Sequence, residues 1–123
     1  MSHAKRAIVL FAHGARDPDW AKPFLKLSQR LQLSLPECIV SLAFLELMTP
    51  NLTDCATELI KNGAHEITIV PAFMARGAHL RLELPELVDQ LTSQFPHIQF
   101  KVTPALGEAD SVQAAMAEWI AKQ

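Results

Sequence analysis

The sequence predicts an α/β fold in three layers: an open, parallel four-stranded sheet with helices on both faces. Two observations carry that expectation. Four short apolar runs, AIVLFA (7–12), CIVSLAFL (38–45), EITIVPAF (66–73) and IQFKVTPAL (98–106), are mostly continuous rather than alternating, as parallel strands covered on both sides are. Between and after them the apolar residues recur at helical spacing, which gives the order β-α-β-α-β-α-β-α, and right-handed crossovers make the strands parallel.

Each helix has its own signals. Residues 19–35 place Trp20, Phe24, Leu27 and Leu31 on one face, with Pro23 near the first turn, where its missing N–H costs little. Thr49-Pro50 reads as a cap followed by proline at the first helical position; Leu52, Cys55, Ala56, Leu59 and Ile60 then face inward, and Gly63 ends the helix. Pro85 reads as the start of a third helix, with Leu87, Val88, Leu91 and Phe95 inward and Pro96 beyond its end. The last helix begins near Asp110 or Ser111 and is expected to bury Val112, Ala115, Met116, Trp119 and Ile120. No linker, low-complexity tract or charge run interrupts the 123 residues, so the chain reads as a single domain, 1–123.

Half the residues are hydrophobic, one-fifth are charged, and the net charge is −2. Such a chain has no overall attraction for nucleic acid or anionic lipid, so any recognition of an anion must be local. Cys38 and Cys55 lie in apolar stretches without metal-type spacing and read as buried reduced thiols. The amino-terminal apolar run is too short for a signal-peptide core or a membrane span, which places the expected compartment in the cytoplasm.

Ligands of open parallel sheets bind at the carboxyl ends of the strands, so the informative residues follow the apolar runs. His13, Gly14 and Arg16 follow the first, Glu46 ends the second, and Arg76, Gly77, His79 and Arg81 follow the third. His13 to Glu46 is 33 residues and Glu46 to His79 is 33 again, about one βαβ unit, so each turn of the fold returns to the same rim. Two imidazoles and a carboxylate there suit a divalent transition metal with coordination positions left open, while spacing alone favours ordinary loop histidines satisfied by backbone or solvent. Arg16, Arg76 and Arg81, clustered in a slightly acidic protein, suit a ligand with several carboxylates. No nucleotide-binding glycine motif and no nucleophile elbow is present. His3, His65 and His97 read as structural or solvated, and Met74 as packing.

With these residues in view, IVLFAHGARDP, AFLELMTPNLTD and IVPAFMARGAHLRLELP together make the chain resemble the small form of the class II chelatases that act on sirohydrochlorin. The resemblance runs in order over about residues 7 to 107. It implies a chelatase-like fold, a single half of the longer two-half members, that inserts Co²⁺ or Fe²⁺ into sirohydrochlorin for cobalamin or sirohaem synthesis. The metal is then a substrate, with no tightly bound cofactor. On this resemblance His13 and His79 are the metal-binding and proton-accepting residues, and Glu46 is the accompanying acid. It also implies a homodimer with the tetrapyrrole cleft near the subunit junction, Arg16, Arg76 and Arg81 holding substrate carboxylates, and Gly77 letting the backbone approach the macrocycle. Glu83 departs from the aspartate usual in the family's third motif, and the histidine-rich tail of some members is absent. The competing expectation is a carrier on the same fold that binds metal or tetrapyrrole without turnover.

Overall fold

The computed structural model describes residues 5–123, the side chain of His79 excepted. Strands β1 (Lys5–Ala12), β2 (Cys38–Phe44), β3 (Ala64–Pro71) and β4 (Gln99–Val102) form one parallel sheet in the order β2-β1-β3-β4. Helices α1 (Lys22–Ser34), α2 (Leu52–Lys61), α3 (Ala78–Gln94) and α4 (Asp110–Ala121) follow the strands in turn. A short 3-10 turn precedes α1 (Pro18–Ala21), and another precedes α4 (Leu106–Glu108).

The main core lies on one face of the sheet. Register puts Ala7 beside Ile67, Val9 beside Ile69 and Phe11 beside Ala43, and these side chains pack against Leu52, Cys55, Ala56 and Leu59 of α2 and Leu80, Leu84 and Leu91 of α3. A smaller cluster on the other face joins Ala12, Phe44 and Ala72 to Ala21, with Trp20 and Phe24 stacked at 4.7 Å alongside. Cys38 and Cys55 are both buried and unpaired, as expected. His65 is exposed in β3, and His3 lies outside the described residues. Among the described residues no helix is long and apolar enough to cross a membrane.

Several expectations are corrected. The cap of α2 is Asn51, whose side chain accepts from the Asp54 N–H at 2.8 Å, rather than Thr49; Pro50 stands before the helix rather than in it. Asparagine supplies the acceptor a helix start needs, and it outcompetes the Thr-Pro signal two residues earlier. Helix α3 opens at Ala78 and contains Pro85. Pro85 and Arg81 are both exposed, so the carbonyl deprived of its donor lies on the solvent side, where a helix tolerates the loss best. The fourth run is a strand only as far as Val102, since the prolyl residue at 104 has no N–H to continue a ladder. Leu27 and Met74 are exposed. In α4 no residue is buried, and Trp119 and Ile120 face solvent.

Burial pushes the Cys55 thiol from 9.0 up to about 11, with a hydrogen bond to Ser41 acting the other way. Because the folded thiol keeps its proton after the unfolded one has lost it, this contribution to stability is intact below pH 9.0 and declines as pH rises toward 11. Thermal unfolding followed by circular dichroism is expected to show a fall in midpoint from about pH 8.5 to about pH 10.5 that is smaller in Cys55→Ala. Equal falls in both proteins would show that Cys55 is not the group responsible.

Candidate functional site

The pairing of β1 with β2 continues past the ends of both strands. Leu45 N–H donates to the Ala12 carbonyl at 2.8 Å, and Glu46 N–H donates to the His13 carbonyl at 3.1 Å. Their side chains meet as a result: His13 Nε2 is 3.0 Å from Glu46 Oε1, with each side chain about half exposed at the carboxyl rim. Gly14 makes the approach possible. It is buried with φ +95°, and a Cβ there would overlap the Glu46 carbonyl oxygen. On the other side Leu47 takes φ +66°, a left-handed conformation that costs a non-glycine residue about 1 kcal/mol or more and turns the chain sharply away after Glu46. Phe73 stands edge-on to the His13 ring at 6.2 Å and to Phe11 at 6.5 Å, linking the imidazole to the core.

The pair has a geometry that a cation can use. At metal–ligand lengths of about 2.1 Å, a nitrogen and an oxygen this far apart subtend roughly a right angle at a shared ion, the cis relation of an octahedral site. Among the described residues no group of three metal-binding side chains occurs, so His13 and Glu46 are a two-ligand corner.

The third rim segment joins β3 to α3. Gly77 caps α3 with an extended backbone, and His79 is the second residue of the helix; its side chain lies outside the described residues. A Cβ on Gly77 would meet nothing within 4 Å, so no packing inside the subunit requires glycine there. Arg76 donates from Nε to Glu108 at 3.3 Å, and Arg81 donates from Nε to the Arg76 carbonyl at 3.1 Å. Arg16 is exposed after β1 with no ion pair among the described residues. Glu83 is half-buried on α3, one turn beyond His79. The structure thus brings His13 and Glu46 into contact and puts the His79 backbone on the same rim, while Arg76 and Arg81 are partly engaged within the loop itself.

Sequence reasoning missed the turn after β4. Gly107 N–H donates to the Phe73 carbonyl at 2.9 Å, and a Cβ on Gly107 would collide with the Met74 backbone. Glu108 accepts from both Arg76 and the Ala105 N–H. The available signal was the rule already applied to the other strands, that the residues just past a run matter, but the fourth run was carried through to residue 106. Phe73 was read only as the end of a strand. A cavity of about 790 Å³ is at the opposite rim between Lys5, Arg6 and Ser34–Cys38 and contains none of these groups. The site is instead an open rim, a surface with one wall.

The structure is a parallel α/β domain with an imidazole–carboxylate pair at its carboxyl rim, and comparison assigns it to a family. Residues 7–123 match the CbiX family, to which the chain belongs. A sirohydrochlorin cobaltochelatase of Saccharolobus solfataricus is 32% identical over 81 residues, 66% of this chain and 62% of that protein. The aligned region therefore spans somewhat less than two-thirds of that relative's length. The fold matches a CbiX protein of Marinobacter aquaeolei VT8 with a TM-score of 0.83 at 26% identity, covering 95% of each chain. It also matches the sirohydrochlorin chelatase SirB of Bacillus subtilis subspecies spizizenii, in complex with cobalt, with a TM-score of 0.80 at 23% identity, covering 96% of this chain and 50% of that one.

Replacing Gly14 by alanine adds both an unfavourable φ and an overlap with Glu46. Urea unfolding is expected to show a loss of about 2 kcal/mol or more. An unchanged midpoint would mean that the two strand ends are not held by this contact.

Proposed function

We propose that this chain inserts a divalent metal, Co²⁺ or Fe²⁺, into sirohydrochlorin. The observation that carries the reading is the His13–Glu46 pair at the strand ends, with family membership as its context. The reaction exchanges one M²⁺ for two pyrrole N–H protons. The protein must therefore present a partly dehydrated ion to one face of the macrocycle and accept protons from it.

His13 and Glu46 supply both needs. With the ring proton on Nδ1, the Nε2 lone pair of His13 and the Glu46 carboxylate would hold an ion between them as neighbouring ligands, and imidazole is also a side chain suited to accepting a proton. As the ion passes to the macrocycle, the vacated Nε2 lone pair would take up one pyrrole proton, so that ion and proton exchange places on the same atom. His79, at the start of α3, is assigned the opposing role as the second imidazole. Arg16 is available to pair with substrate carboxylates; Arg76 and Arg81 retain free guanidinium N–H groups beyond those used in the loop. The space beside Gly77 leaves room for the macrocycle edge.

In this reading the chain is one chelatase-like domain, the metal is a substrate, and no cofactor is held between turnovers. The one-walled rim and the half-length match to SirB support a homodimer in which a second copy closes the cleft. The unpaired buried thiols support the cytoplasm as its compartment. The protein serves cobalamin synthesis if cobalt is its ion, and sirohaem synthesis if iron is.

An anaerobic absorbance time course of sirohydrochlorin with each ion tests the reading. The parent protein is expected to accelerate insertion over the blank. His13→Ala should lower kcat/KM by about 10²–10⁴-fold, and Glu46→Gln by about 10–100-fold. Tight tetrapyrrole binding without acceleration by the parent would establish the carrier instead.

A further inference from the structure

Leu47 combines two unfavourable features. Its backbone is held at φ +66°, and its side chain is 59% exposed and belongs to neither core cluster. A leucine in the left-handed region is uncommon; such residues persist where their surroundings over-determine them, and they cluster at ligand sites. Here the surroundings are plain. Leu45 packs on the main core on one face of the sheet, Met48 packs on the smaller cluster on the other, and Glu46 N–H donates to the His13 carbonyl. The chain therefore crosses the carboxyl edge of the sheet between two anchors, with Glu46 and Leu47 as the crest.

A second exposed apolar side chain stands on the other side of the imidazole. Strand β1 lies between β2 and β3, and the β1–β3 pairing continues past the end of β3 through Ala72 N–H to the Phe11 carbonyl at 2.8 Å. Two residues further on, Met74 is 66% exposed, although its backbone is fixed by the close approach of Gly107. The turn carrying Leu47 and the loop carrying Met74 thus flank the His13 end of β1, about two strand spacings or roughly 10 Å apart. Exposed apolar groups rimmed by polar ones mark a binding surface, and here the polar neighbours are Glu46 and His13.

We propose that Leu47 and Met74 form a split apolar shelf on which the face of the tetrapyrrole rests. The inference rests on the tetrapyrrole reading above and gives the ring its seat. A tetrapyrrole is a broad, flat ring with apolar faces and its carboxylates at the periphery. The ion held by His13 and Glu46 must reach the centre of one face, so the ring lies over the imidazole and its apolar area falls to either side, where Leu47 and Met74 stand. Contact then removes from water the apolar surface that the free protein leaves exposed. The unbranched, polarisable thioether of Met74 suits a π face. The anchored left-handed turn keeps the Leu47 side chain presented before the ring arrives, so less ordering is needed on binding.

Anaerobic titration of the full chain with metal-free sirohydrochlorin, followed by absorbance, tests the shelf. Asparagine enters the left-handed region more readily than leucine but is polar, so Leu47→Asn should keep the parent's urea midpoint while weakening tetrapyrrole binding about tenfold. Leu47→Met keeps an apolar side chain and should bind within about twofold of the parent, whereas Met74→Gln should bind about fivefold more weakly. Affinity for Co²⁺ alone, measured by calorimetry, should be the same in parent and variants, because the His13–Glu46 pair is untouched. Undiminished tetrapyrrole binding by Leu47→Asn, a urea midpoint that falls together with its affinity, or a parallel loss of Co²⁺ binding would each overturn the shelf. Metal insertion by the parent is measured alongside. Insertion with tetrapyrrole affinity unmoved by Leu47→Asn removes only this inference, and shelf-dependent binding without insertion removes only the chelatase reading; a parent that binds no tetrapyrrole overturns both.

Discussion

Everything at the carboxyl rim depends on two strand ends being held closer together than side chains normally allow. The β1–β2 ladder runs on through Leu45 to Ala12 and Glu46 to His13, and it can do so because Gly14 presents no Cβ to the Glu46 carbonyl. The imidazole–carboxylate contact is therefore set by backbone hydrogen bonds rather than by chance rotamers. That matters because both side chains are about half exposed, where a contact resting on side-chain attraction alone is weak. The frame under the two side chains is thus fixed by the backbone rather than by the side chains themselves.

The same economy appears across the rim. The loop from Phe73 to Gly77 is short of buried side chains, yet it is fixed by the turn after β4 through Gly107 and Glu108. Arg76 ties the loop to that turn through Glu108. Strand β4 itself contributes only four residues to the sheet, but the turn that follows it determines where the wall beside His13 stands.

The strands and their order were legible because buried parallel strands leave nearly continuous apolar runs, and the register of His13 and Glu46 followed from the repeat length. What misled was local. Pro85 looks like a helix start, but α3 begins at Ala78, since Leu80 and Leu84 already face the core and their burial outweighs the proline's cost. Periodicity located the apolar side of α4, but the burial expected for it is absent, because a helical stripe has the same pattern whether it is packed or exposed. The latch of Gly107 against Met74 leaves no mark except the glycine itself, and it was passed over because the fourth apolar run was carried on to residue 106.

The two glycines nearest the candidate site differ in a way that separates two kinds of selection. Gly14 is enclosed, so any side chain there disturbs the frame, whereas a Cβ on Gly77 meets none of the described residues within 4 Å. A screen for soluble, folded protein would reject changes at the first and pass them at the second. Position 77 is thus a place where a side chain can change over evolutionary time with little penalty to the scaffold.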